Sequence, residues 1–149
     1  LRPEYPVYST QTSKASFVLI NQSNRNIMCG EEYCITYEDE QGIWRKLPTD
    51  NIFFSVGYLV QPGEYRIRTA SLYPEMYPNK PGRYRFLYHL TLLDTRTRIQ
   101  MMTEFRLSND EKEWKQTKKL EIPIHLTITQ NSDNSATSET SADEETSGQ

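Results

Sequence analysis

The residue types able to do chemistry are few in this chain and do not converge. Cys29 and Cys34 stand five apart around Gly30. That spacing reads as two independent thiols, with a local disulfide across a bend as the alternative. Two cysteines and two distant histidines do not make a zinc spacing. His89 and His125 fall on outward positions of alternating stretches, with no third ligand near either. The acids cluster as Glu31-Glu32 and Glu38-Asp39-Glu40. A glycosidase needs two carboxylates facing each other across a scissile bond, whereas these stand at strand ends and turns. No local Ser-His-Asp signature, nucleophile elbow, phosphate loop or cofactor fingerprint occurs. The expectation is a chain that is not an enzyme and uses no metal or cofactor.

Residues suited to binding are more plentiful. Arg66, Arg68, Arg83, Arg85, Arg96, Arg98 and Arg106 fall on or beside three late strands. If those strands are neighbours, the outward arginines form a basic patch suited to anionic polysaccharide, lipid headgroups or the chain's own acidic tail. Alternatively they pair with Glu64, Glu104 and their neighbours as an ordinary sheet face. Arg83 and Arg85 are the candidate binding residues of this set. The stretch 73–81, YPEMYPNKP, holds three prolines that forbid a helix or a central strand. Tyr73, Met76 and Tyr77 are large side chains in this stiff loop, which lowers the entropy lost on contact. The alternative is that Tyr73 and Met76 plug the open end of the fold.

The elements that must position these groups read as strands. In 81–93, PGRYRFLYHLTLL, a Pro-Gly turn signal runs into period-two alternation. Tyr84, Phe86, Tyr88 and Leu90 share one face; Arg83, Arg85, His89 and Thr91 share the other. Gly82 serves the turn, and Tyr84 suits a tyrosine corner, ring in the core and hydroxyl returned to backbone. The stretch 16–21 is a short apolar strand, 32–38 alternates again, and 43–47 is a return strand carrying Trp44. The region 52–60 reads as an irregular strand. PGEYRIR at 62–68 repeats the form of the later Pro-Gly strand. Strand 99–107 comes next, then a charged stretch where Ser108 is placed to cap a short helix anchored by Trp114. The cleanest alternation is 120–128, LEIPIHLTI, read as an edge strand because Pro123 cannot donate to a ladder.

The 149 residues suit one domain. The balance of 17 basic and 20 acidic residues, net −3, gives no global field for nucleic acid. The segment after Gln130 carries −5 and the remainder +2. That segment has almost nothing apolar to bury, so it reads as a disordered tail. No apolar run approaches the ~20 residues that span a bilayer. The organisation expected is an N-terminal extension over 1–15 with a possible edge strand, a β-sandwich over 16–129, and an acidic Ser/Thr-rich tail over 130–149. Short strands with turn signals every ~10 residues give an all-β, antiparallel sandwich.

The order of motifs resembles a bacterial immunoglobulin-like domain family over 16–108. Asn21, Ser23, Ile27, Gly30, Tyr33, Trp44, Leu47, Pro48, Pro62, Gly63, Glu64, Gly82, Tyr84 and Arg85 carry the resemblance. It implies an immunoglobulin-like sandwich and an extracytoplasmic setting, in lipoproteins or on the outer side of membrane-bound sensors and peptidases. No shared catalytic residues come with it. The role implied is a non-catalytic binding or scaffolding module at the bacterial surface or in the periplasm. The partner would be a protein or glycan of the envelope, and the membrane would enter only through an anchor outside this chain. The alternatives are a sensing domain of a membrane signalling or peptidase system, and a carbohydrate-binding accessory domain. Tyr84, Trp44, Phe86 and Gly82 would be structural. The chain departs from the family pattern at Cys29 and in carrying another strand and a tail beyond Ser108.

Overall fold

The alternating stretch around Tyr84 becomes the long central strand of the larger of two sheets. The computed structural model describes residues 1–48, 53–76 and 78–129. In chain order the elements are β1 (Arg2–Pro3), β2 (Val7–Ser9), β3 (Lys14–Ile20), β4 (Ile27–Glu38), β5 (Trp44–Lys46), β6 (Tyr58–Val60), β7 (Glu64–Ser71), β8 (Gly82–Leu92), β9 (Thr97–Ser108), α1 (Glu111–Lys115) and β10 (Thr127–Ile128). One sheet has the order β1-β3-β7-β10; the other has β2-β9-β8-β4-β5, with β6 also paired to β4. All pairings are antiparallel except β2 with β9 and β10 with β7.

The period-two expectation for β8 holds residue by residue. Tyr84, Phe86, Tyr88 and Leu90 are buried, while Arg83 and the alternate positions face out. Phe86 stacks on Phe17 from the opposite sheet, with centroids 4.0 Å apart and planes at 4°. Phe105 from β9 meets Phe17 edge-on at 5.2 Å. This aromatic seam joins the layers, and burial of such rings supplies most of the packing energy.

The first nine residues lace both sheets together. β1 pairs with β3, and β2 then pairs with β9 in the other layer. Tyr8 is buried between them, and its hydroxyl donates to the Ser16 carbonyl. At one pole, Pro62-Gly63 makes a tight turn with Gly63 at φ +82°. Gln61 N–H donates to the Glu64 carboxylate at 2.7 Å, and Asn21 Nδ2 donates to the Val60 and Arg25 carbonyls. The N-x-S and P-G-E motifs are therefore two halves of one knot.

Four expectations need correction. The alternating stretch 120–128 is not an edge strand: only Thr127 and Ile128 ladder, parallel to β7, and Ile124 is 99% exposed. Pro123 breaks the donor row, and the anchors of this stretch lie on opposite flanks of the four-stranded sheet, so it crosses strands instead of running beside one. Among the described residues of the expected strand 52–60, which begin at 53, only Tyr58–Val60 forms a strand. Asp110, not Ser108, caps the helix, its side chain accepting from Lys112 N–H; Ser108 Oγ accepts from Asp110 N–H. Arg66 and Arg68 do not join a patch with Arg83 and Arg85, because β7 belongs to the other sheet and turns them inward. The acidic tail and Tyr77 lie outside the described residues.

Candidate functional site

The β4–β5 hairpin and the loop leading into β8 form two walls of a cleft of about 680 Å³ at the pole opposite the Pro62-Gly63 turn. Asp39 makes the first wall. Its Oδ1 accepts the N–H of Gln41 at 2.9 Å and of Ile43 at 2.8 Å, and Gly42 takes φ +79° to close the turn. A short polar acceptor followed by a glycine is the chemistry such a reversal needs. Arg45 donates to Asp39 Oδ2 at 2.5 Å. That guanidinium, with the Ile43 and Gln41 amides, holds the Asp39 carboxyl below the usual carboxylate range.

The second wall is set by Tyr84 and Asn79. The Tyr84 hydroxyl donates to the Lys80 carbonyl at 2.7 Å, while its ring is 3% exposed. This is the tyrosine corner foreseen from the sequence. Burial pushes the Tyr84 phenol up to about 12. Asn79 Nδ2 donates to the Leu72 carbonyl at 3.1 Å, pinning the middle of the loop. Gly82 sits at φ +146°, a backbone a side chain rarely adopts. Tyr37, Leu47, Pro48, Pro78, Pro81 and Tyr84 supply the apolar lining, and Glu38, Glu40 and Lys80 the polar rim.

Glu38 also belongs to the outer face of the six-stranded sheet, where the other sequence candidates lie. Arg83 donates to Glu38 at 3.2 Å and to Glu104 at 2.8 Å; Arg85 donates to Glu104 at 3.1 Å. The Arg85 guanidinium lies 3.9 Å from the centroid of Trp44, and that of Arg83 lies 5.4 Å away. Trp44 is thus half-buried on the outside of the sheet, beneath two arginines. Arg83 and Arg85 hold Glu104 well below its ordinary pKa. These arginines form a paired ladder with the glutamates beside them.

The structure brings Arg83, Arg85, Trp44, Gly82 and Tyr84 to this pole, with Phe86 directly behind in the core. Tyr73 and Met76 sit upstream of the part of the loop that lines the cleft. Tyr73 is half-buried at φ +47°, and Met76 is 60% exposed, so Met76 plugs nothing. Sequence reasoning assigned neither Tyr37 nor Asp39 to a binding site, although it placed Asp39 at a turn. The signal that would find them is the Tyr-x-Asp-x-x-Gly order, which puts an aromatic beside a reversal. Cys29 and Cys34 are not joined in a disulfide. Among the described residues, no three His, Cys, Asp or Glu side chains are grouped to hold a metal, and no helix is long and apolar enough to cross a membrane.

Two opposed sheets, an aromatic seam and a tyrosine corner define an immunoglobulin-like β-sandwich. The chain belongs to the family described as Bacterial Ig-like domain, whose model matches residues 2–112. No curated protein matches at a significant level. Among solved structures the chain is similar to Pseudomonas fluorescens alkylpurine DNA glycosylase AlkC bound to DNA containing an abasic site analog. The identity is 18%, over 72% of this chain and 29% of that chain, with a TM-score of 0.42. The chain spans less than a third of that protein's length, and a likeness this slight carries no functional argument.

Proposed function

We propose that this domain is a non-catalytic binding and scaffolding module of a bacterial extracytoplasmic protein, engaging an envelope protein or glycan at the hairpin pole. The observation that carries the reading is the cleft itself, with aromatic and proline walls on loops that hydrogen bonds hold in place. A preset cleft loses little entropy on contact. The carboxylates there serve structure: Asp39 is engaged by Arg45 and two amides, and Glu38 by Arg83. Asp39, held in its ionised form by Arg45 and those amides, makes a poor proton donor. Family membership supports the non-catalytic role, and the extracytoplasmic setting rests on the motif resemblance.

The test is binding to arrays of envelope glycans and envelope peptides, comparing wild type with Gln41→Trp. Gln41 is exposed and lines the cleft, so an indole there obstructs the cleft without touching the core. Retention of a ligand by wild type and its loss by at least tenfold in the variant is the expected result. Equal retention by both proteins, or by neither, removes the cleft from the reading.

A further inference from the structure

Two side chains on the outer face of the four-stranded sheet are buried without belonging to the aromatic core. Val18 is 2% exposed and Ile67 is 7% exposed. They stand directly opposite each other in the β3–β7 register. Strand alternation aims them away from Phe17, Leu19 and Arg66, which point into the sandwich.

The segment 120–127 covers them. Leu120 N–H donates to the Glu4 carbonyl at 2.7 Å, beside β1. Thr127 N–H donates to the Gly63 carbonyl at 3.0 Å, and Thr129 N–H to the Tyr65 carbonyl at 2.8 Å, on the far side of β7. These anchors stand three strand spacings apart across the sheet and about five residues apart along it, about 22 Å in all. Seven residues reach about 25 Å at most, so the path runs across the sheet face, over Val18 and Ile67. Leu120, Ile122, Leu126 and Ile128 are half-buried along it. The segment lies beyond the residues that define the family.

We propose that this face is a strand-exchange interface, closed in cis by 120–129 and closed in trans by the same segment of a second copy of the chain. The seat is already built for this segment, so a second copy offers an identical fit. The connection 116–119, Gln-Thr-Lys-Lys, has no regular structure; Lys119 reaches Glu4 only at 4.0 Å. The alternation of 120–128 is longer than the two-residue ladder it makes, and it leaves Ile124 bare. Exchange of an identical element restores the closed contacts, and the length of the hinge decides which form wins.

Sedimentation velocity of the whole chain, over a wide range of concentration, tests this. Deleting Thr117 and Lys118 removes about 7 Å of reach from this short connection, which disfavours closure onto the chain's own sheet. The expected result is a dimer at least tenfold tighter in the deletion variant than in wild type. Ile122→Asp, outside the aromatic core, is expected to return both to monomer. A monomeric deletion variant overturns the proposal, as does a dimer that persists with Ile122→Asp. If the deletion variant fails to fold, two differently tagged wild-type populations are mixed at high concentration. Mixed-tag dimers that Ile122→Asp abolishes support the proposal, and their absence overturns it.

Discussion

The segments Pro62-Gly63-Glu64-Tyr65-Arg66 and Pro81-Gly82-Arg83-Tyr84-Arg85 have the same spacing and opposite senses. In the first, Tyr65 faces out and Arg66 is fully buried; in the second, Tyr84 is buried and Arg85 faces out. Local propensity does not separate them, since both are Pro-Gly turns feeding strands. The residues downstream decide. After Tyr84 come Phe86, Tyr88 and Leu90 at even positions, and the seam claims them. After Arg66 come Ala70 and Leu72 at even positions, and Ile67 at an odd one pairs with Val18 outside. The inner set of β7 therefore includes two arginines. Arg66 Nε donates to the Tyr88 hydroxyl at 3.1 Å, its guanidinium lies 3.9 Å over the Tyr58 ring, and the Tyr88 hydroxyl in turn donates to the Gly30 carbonyl. A one-residue offset separates a core cation from a surface one.

The comparison breaks most sharply at Arg66. Arg66→Met leaves the Tyr88 hydroxyl and the Tyr58 ring without their cation, and the expected loss is about 3 kcal/mol. Urea unfolding should show a lower midpoint at unchanged slope; a change within error would mean the buried cation adds nothing to stability.

Tyr84→Phe keeps the ring and removes the corner hydrogen bond, with an expected loss of about 1 kcal/mol by the same measurement. The phenol is raised from its ordinary 10 to about 12 in the folded protein. Its contribution is therefore fully present below pH 10 and fades as the pH rises toward 12. Ultraviolet titration should show one fewer late-titrating tyrosine in the variant, Tyr8 remaining at about 12.

Arg85→Ala removes an exposed pair and a cation–π contact, and roughly 0.5 kcal/mol is expected, shrinking with added salt. A loss as large as that at Arg66 would erase the distinction between the two faces. The smallest effect is at Asp39, whose carboxyl is held low by Arg45 and the hairpin amides. A depressed carboxylate stabilises above its unfolded pKa, and that contribution is lost as the pH falls through the folded value. The protection factors of the Gln41 and Ile43 amides should fall on acidification in wild type, and Asp39→Asn should flatten that dependence.

The sandwich was legible because β8 and β9 alternate cleanly and their inner residues are aromatic or aliphatic. The tyrosine corner was legible from a tyrosine just after Pro-Gly. Arg66 was not, because an arginine at an inner position reads as evidence for the outside. The path of 120–126 was not, because period two reports that a segment has two faces without saying which partner takes one of them. The cleft was half legible. Its Pro-rich wall announced itself by composition, but the facing wall comes from residues some forty positions earlier in the chain, brought opposite it by the β4–β8 register.

The level of Arg2 against Val18 sets Leu1 toward the Pro62-Gly63 pole, whereas the hairpin lies past the other end of β3. The separation is on the order of 20 Å along the strands. A probe placed on the Pro62-Gly63 turn therefore sits at the end of the sandwich remote from the hairpin, and it reports on the Asn21 knot without covering the cleft.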